Sequence, residues 1–125
     1  MENFQLNNLK VFQLSREYGK EVWKIYQSFG WQQKKIIGDQ LIRSVDSVGA
    51  NISEGCGRYH FLDKIRFYYF ARGSLFESKY WVDLLFERKI INLEKYTYLM
   101  DLYKNIIKLL NSLINSTYKN KKDLK

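Results

Sequence analysis

Apolar residues recur at three- and four-residue steps along most of the chain. From about Leu9 to Phe29 they are Val11, Leu14, Tyr18, Val22, Ile25 and Phe29 with charged residues between them, the spacing that keeps one helix face dry. The segment GWQQKK is read as the turn that follows. From about Lys34 to Glu54 a second stripe is built by Ile37, Leu41, Val45, Val48 and Ile52, with Gly38 and Gly49 together on one flank. A glycine inside a helix costs about 1 kcal/mol relative to alanine, so two on one flank predict close approach of another helix.

The segment EGCGRYH is expected to end this helix, with Gly55 or Gly57 in the left-handed conformation that closes a C-terminus. A third helix spans about Phe61 to Lys89, and its pattern is double. One stripe runs Phe67, Ala71, Leu75, Ser78, Val82 and Leu85, a second runs Leu62, Ile65, Tyr69, Phe76 and Tyr80, and Phe70 and Trp81 project elsewhere. A helix apolar on nearly every side must be covered on nearly every side. After the connection IINLEKY, a fourth helix carries Tyr96, Leu99, Tyr103, Ile106, Leu110 and Leu113, then fades into the basic tail YKNKKDLK.

Four helices with short connections predict an all-α, antiparallel up-and-down four-helix bundle, with residues 1–118 as its one domain and 119–125 as a basic, disordered tail. A single bundle can cover only one side of the third helix. Its second apolar face therefore predicts self-association.

Composition supports a folded, helical chain. It has 125 residues, 46% of them hydrophobic, enough for one core and too few for two, and it has no proline to break a long helix. Lys and Arg exceed Asp and Glu by 21 to 13, a net charge of +8 that suits a polyanionic partner. The single Cys cannot form an intramolecular disulfide, and neither a signal-like run nor a membrane-length apolar stretch is present. A cytoplasmic location is the expectation.

Signatures of catalysis and of cofactor or metal binding are missing: there is no phosphate-binding glycine loop or paired-cysteine zinc pattern, and the chain has one His. Some helical ribonucleases pair an Arg with a His four to six residues later. Here Arg58 and His60 are separated by one residue, in a loop, and no acid, base and charge stabiliser can be assembled around them. Cys56 reads as a small packing residue and His60 as a capping or packing residue at the start of the third helix.

Two polar sectors stand out. Arg43, Ser47, Ala50 and Glu54 lie opposite the second helix's apolar stripe, and Arg66, Gly73, Ser74 and Glu77 share a sector of the third beside Phe70 and Trp81. Any one of these residues fits a solvated face laced with ion pairs. Taken together, small residues among good helix formers with aromatics alongside read as a docking surface.

The stretch SVDSVGANISEGCGR followed by FYYFARGSLFESKYWVDLL resembles the paired signature of the four-helix-bundle proteins encoded by intervening sequences in bacterial 23S rRNA genes, also called S23 ribosomal proteins. The family pattern is S-I-x-x-N-I-A-E-G-x-G-R and then F-x-x-F-L-x-I-A-x-G-S-L-x-E. Ser47, Asn51, Ile52, Glu54, Gly55, Gly57 and Arg58 match its first half, and Phe70, Ala71, Gly73, Ser74, Leu75 and Glu77 fit its second. Ser53 departs from the usual alanine, Tyr69 falls near an expected aliphatic position, and FERKII replaces the LGYI that often closes the third helix.

The resemblance implies a bundle that assembles into a ring, typically a homopentamer, similar in fold to the accessory proteins of diversity-generating retroelements, which bind nucleic acid and a reverse transcriptase. Within that frame Asn51, Glu54, Gly55, Gly57, Arg58, Gly73, Ser74 and Glu77 are expected to shape the motif and the oligomer. Lys34, Lys35, Arg43, Arg58, Lys64 and Arg66, read as clustered around the junction of the second and third helices, are the expected phosphate contacts. The leading expectation is a non-enzymatic RNA-binding oligomer without cofactor, and the alternative is a docking scaffold that recruits a partner enzyme such as a reverse transcriptase.

Overall fold

The computed structural model describes residues 6–123, and all of its long elements are helical. A short turn, Leu6–Asn8, leads into α1, Lys10–Ser28. Only Phe29 and Gly30 separate it from α2, which is built in three continuous parts: a first turn Trp31–Gln33, a wider π-helical turn Lys34–Gly38, and an α-helix Asp39–Gly57. In the wide turn the Asp39 N–H reaches the Lys34 carbonyl, five residues back. The sequence reading placed a turn over GWQQKK. Gln and Lys are good helix formers, and the extended backbone of Gly30 is enough to start α2 at Trp31.

The third helix, α3, is Phe61–Glu87 and the fourth, α4, is Leu93–Asp123. Asn92 caps α4, its Oδ1 accepting the Lys95 N–H at 2.8 Å. Each helix packs on its neighbours in order, and α1 also packs on α4, which closes the four-helix bundle. The helix continues through the basic segment after Tyr118 as far as Asp123, where Lys119 and Asn120 are exposed; residues 124–125 of the expected tail lie outside the described residues.

All five residues of the second stripe, Ile37, Leu41, Val45, Val48 and Ile52, are buried. They meet Val11, Tyr18, Val22 and Ile25 of α1 and Leu99, Ile106 and Leu110 of α4, each large aliphatic side chain contributing roughly 1.5–3 kcal/mol by burial. On α3 the buried row is Ile65, Tyr68, Ala71, Leu75, Ser78, Val82 and Leu85. The sequence reading put Phe67 at its head and Ile65 on the other stripe, because a helix apolar on two sides fits either phase. Inside the core, Tyr18 Oη lies 2.9 Å from Ser78 Oγ, and Ser78 donates to the Leu75 carbonyl at 2.6 Å, so neither buried hydroxyl is left without a partner.

Gly38 and Gly49 do mark close approach. A Cβ at Gly38 would lie 3.0 Å from the Tyr26 ring, and one at Gly49 3.2 Å from Ser15 Oγ. Gly55 is tighter still, with 2.5 Å to the Tyr68 ring. None of the glycines has a positive φ, so the expected left-handed closure of α2 at Gly55 or Gly57 is not what the chain does. Arg58 simply leaves the helix in extended conformation, at φ −82° and ψ 146°. The left-handed position belongs to Lys89, at φ 60°, where the Lys89 N–H bonds the Phe86 carbonyl and the Ile90 N–H bonds that of Leu85, the double bond of a Schellman closure.

Candidate nucleic-acid interface

At the α2–α3 junction the cations are engaged locally. Arg58 pairs with Glu54 at 2.9 Å, one turn back on the same helix, and its guanidinium lies over the Phe67 ring at 4.7 Å. Arg66 covers the same ring at 5.3 Å and reaches Asp63 at 3.6 Å. Lys64 donates to the carbonyl oxygens of Cys56 and Gly55 at 3.0 and 3.4 Å, satisfying the open end of α2. The Nε of Arg58 is buried with no hydrogen-bond acceptor, the one such side-chain atom among the described residues.

Lys34 and Lys35 stand at the other end of α2, about 35 Å from Arg58 at 1.5 Å per helical residue. The six expected phosphate contacts are therefore not one cluster. Lys34 rests over the Tyr26 ring at 5.0 Å, while Lys35 and Arg43 are exposed. The Tyr26 hydroxyl donates to Asp39 at 2.6 Å, and this bond raises the phenol's pKa.

The remaining motif residues divide in the same way. Asn51 donates to the Ser47 carbonyl at 2.8 Å, and Glu77 accepts the Trp81 indole N–H at 3.0 Å. Ser74 is half-buried. Gly57 and Gly73 face open space, with nothing within 4 Å of an added Cβ. Around Gly73, α3 exposes Leu62, Phe70, Phe76 and Tyr80, each more than half accessible.

A feature the sequence reading missed lies between α1 and α2. An open trough there has Phe12, Arg16, Lys20 and Trp23 along its α1 wall and Gly49, Ala50 and Ser53 along its α2 side. It continues past Glu54 and Gly57 to Arg58. Asp46 lines it too, and burial raises this carboxyl's pKa. The exposed positions of α1 are Lys10, Gln13, Arg16, Lys20, Trp23, Lys24, Gln27 and Ser28, of which Arg16, Lys20 and Trp23 line the trough. Both acids of the helix turn toward α4: Glu17 accepts from the Tyr98 hydroxyl at 3.2 Å, and Glu21 is buried between Lys24 at 3.3 Å and Lys95 at 3.4 Å. Linear charge alternation hid this face. Cations at four-residue intervals, 16, 20 and 24, were the available signal.

Candidate chemistry is sparse among the described residues. No group of three or more His, Cys, Asp and Glu side chains could hold a metal ion. Cys56 Sγ lies 3.4 Å from the Tyr68 hydroxyl, and burial together with this contact holds the phenol well above its ordinary pKa. His60 is exposed at the N-cap of α3 and packs edge-on against Tyr59, 5.2 Å between ring centres. No described helix is long and apolar enough to cross a membrane.

Comparison with known proteins gives a consistent result. A family model described as 23S rRNA-intervening sequence protein matches residues 7–112. The crystal structure of a protein of unknown function from the S23 ribosomal protein family of Bacteroides thetaiotaomicron VPI-5482 superimposes with a TM-score of 0.78 at 30% sequence identity, covering 83% of this chain and 97% of that one. No curated protein matches the sequence. The paired motif at the α2–α3 junction, the closed bundle around it and a family match that spans most of the helical residues agree: the chain belongs to the 23S rRNA-intervening sequence protein family.

Proposed function

We propose that this protein is a non-enzymatic, nucleic-acid-binding bundle that works in the cytoplasm as a closed homo-oligomer, with RNA the favoured polyanion and a ring of five copies the favoured assembly. One observation carries the nucleic-acid reading: most of the described acids are engaged within the chain, while many cations are not. Glu17, Glu21, Asp39, Glu54, Asp63, Glu77 and Asp83 each have an intramolecular partner. Lys10, Lys20, Lys35 and Arg43 make no ion pair among the described residues, on a chain whose net charge is +8. Such an excess attracts phosphate backbones without reading their sequence.

Assembly is supported by α3, whose Leu62, Phe70, Phe76 and Tyr80 leave an apolar row uncovered on the single chain. A ring repeats each weak phosphate contact on every subunit, so the contacts add. The test is an anisotropy titration with mixed RNA and mixed DNA across a salt series, alongside light scattering. Steeply salt-dependent binding by an oligomer that leaves the RNA intact is the expected result. Absence of binding at low salt, or a monomer at micromolar concentration, overturns it. The same exposed aromatics favour a second reading, a scaffold that recruits a partner enzyme such as a reverse transcriptase, for which binding would be nearly insensitive to salt.

A further inference from the structure

The cations at the α2–α3 junction are occupied by Glu54, Asp63, a ring face and two carbonyl groups. On α1, Lys10 and Lys20 make no ion pair among the described residues, Arg16 has no acid partner among them and rests over the Phe12 ring at 5.9 Å, and Lys24 pairs with Glu21 at 3.3 Å. With Glu17 and Glu21 turned toward α4, the trough edge of α1 presents Arg16 and Lys20 and no acid. Arg16 and Lys20 also form the wall of the trough, between Phe12 and Trp23. Phe12 and Trp23 are three turns apart, about 16 Å at 1.5 Å per residue. Trp23 is 48% exposed, and its plane is fixed by stacking on Tyr26 at 5.3 Å and 16°.

We infer that the α1 wall and the trough beside it bind single-stranded nucleic acid, with phosphates on Arg16 and Lys20 and unpaired bases stacked on Trp23. The inference rests on the nucleic-acid reading above and names both its site and its substrate class. Charge sets the orientation. Asp46 lies on the α2 side and repels phosphate, so the backbone runs along α1 and the base edges point toward α2. There the small side chains of Gly49, Ala50 and Ser53 leave room, and the Asp46 carboxylate can accept a hydrogen bond from an exocyclic amino group or a ribose hydroxyl. Helices in contact lie only 8–10 Å apart, so a trough between two of them admits an extruded base and excludes a paired, stacked duplex. Trp31, 72% exposed just past Phe29 and Gly30, lies next in sequence for a second stacking contact.

The test uses the full chain, fluorescein-labelled oligo(U) and oligo(dT) of one length, and a duplex of the same length. The single strands bind more tightly than the duplex, and oligo(U) quenches tryptophan fluorescence. Double reversal, Arg16→Glu with Lys20→Glu, lowers the logarithmic salt slope by about 1.4, the contribution of two single-strand phosphate contacts. Trp23→Leu lowers affinity roughly tenfold, removes most of the quenching and leaves the salt slope unchanged. Lys108→Glu, at an exposed position of α4, changes single-strand affinity less than about twofold, and circular dichroism shows that every variant keeps its helix content. If the wild type binds but the α1 reversal changes nothing, or the duplex binds more tightly, this inference falls while the broader reading stands. If the wild type binds no probe at low salt, both fall. A reversal that instead lowers the mass seen by light scattering makes the trough an interface between copies and overturns the assignment.

Discussion

Lys64 donates from Nζ to the Cys56 carbonyl oxygen at 3.0 Å, so a cation in the first turn of α3 closes the C-terminus of α2. Lys64→Met should lower unfolding free energy in urea by about 1 kcal/mol and leave the salt slope of RNA binding as it was. Loss of binding at unchanged stability would make Lys64 a phosphate contact instead.

Lys89 closes α3 in a conformation that suits glycine. The left-handed region costs an ordinary residue about 1–2 kcal/mol, and the extra freedom of glycine in the unfolded chain returns part of that. Lys89→Gly should therefore stabilise the fold by about 0.5–1 kcal/mol, read as a rise in melting temperature of a few degrees. A fall would show that the lysine side chain makes a contact of its own.

Two glycines on facing helices should respond in opposite ways. At Gly55 an added methyl meets the Tyr68 ring at 2.5 Å, so Gly55→Ala should cost about 1–3 kcal/mol even after the gain in helix propensity. At Gly73 the space is open, and Gly73→Ala should stabilise the single chain by up to about 1 kcal/mol. If copies meet across the face that holds Gly73, the same substitution lowers the assembled mass in light scattering while the helix itself becomes more stable.

Burial holds the phenols of Tyr18 and Tyr68 well above their ordinary pKa. In the unfolded chain they ionise near pH 10, so above that pH the unfolded state binds fewer protons than the folded one, and stability falls as pH rises. Each such tyrosine removes up to about 1.4 kcal/mol per pH unit, an effect absent at neutral pH. Urea midpoints measured from about pH 9 to 11 should drop accordingly. Tyr18→Phe should flatten part of the drop, at a cost of about 1 kcal/mol at neutral pH for the lost bond to Ser78.

The fold was legible because the α2 stripe has one phase: Ile37 through Ile52 can share a face only as a helix, and all five are buried. On α3, Phe67 and Ile65 exchanged roles because apolar residues lie on both sides and the phase is set by neighbouring helices. The Lys89 turn left no trace, since left-handed closure is expected of glycine, whereas Gly55 serves contact with Tyr68 and Gly57 keeps a negative φ. At the candidate site, sequence separated cations from acids by residue type alone. Whether Lys64 meets a phosphate or a carbonyl, and that Glu17 and Glu21 turn away from the trough edge that holds Arg16 and Lys20, depends on partners from α2 and α4.

The wide turn at Lys34–Gly38 holds one residue more than α-helical geometry requires. It is an insertion already absorbed, with the helix on either side keeping its phase. Loss of one codon here should give a plain α-helix that keeps both Trp31 and Leu41 in place. The same loss near Ser47 would rotate the rest of α2 by about 100° and carry Ile52 out of the core. Length variation among relatives should accordingly collect in this turn and be purged from the 19 residues of Asp39–Gly57 that follow it.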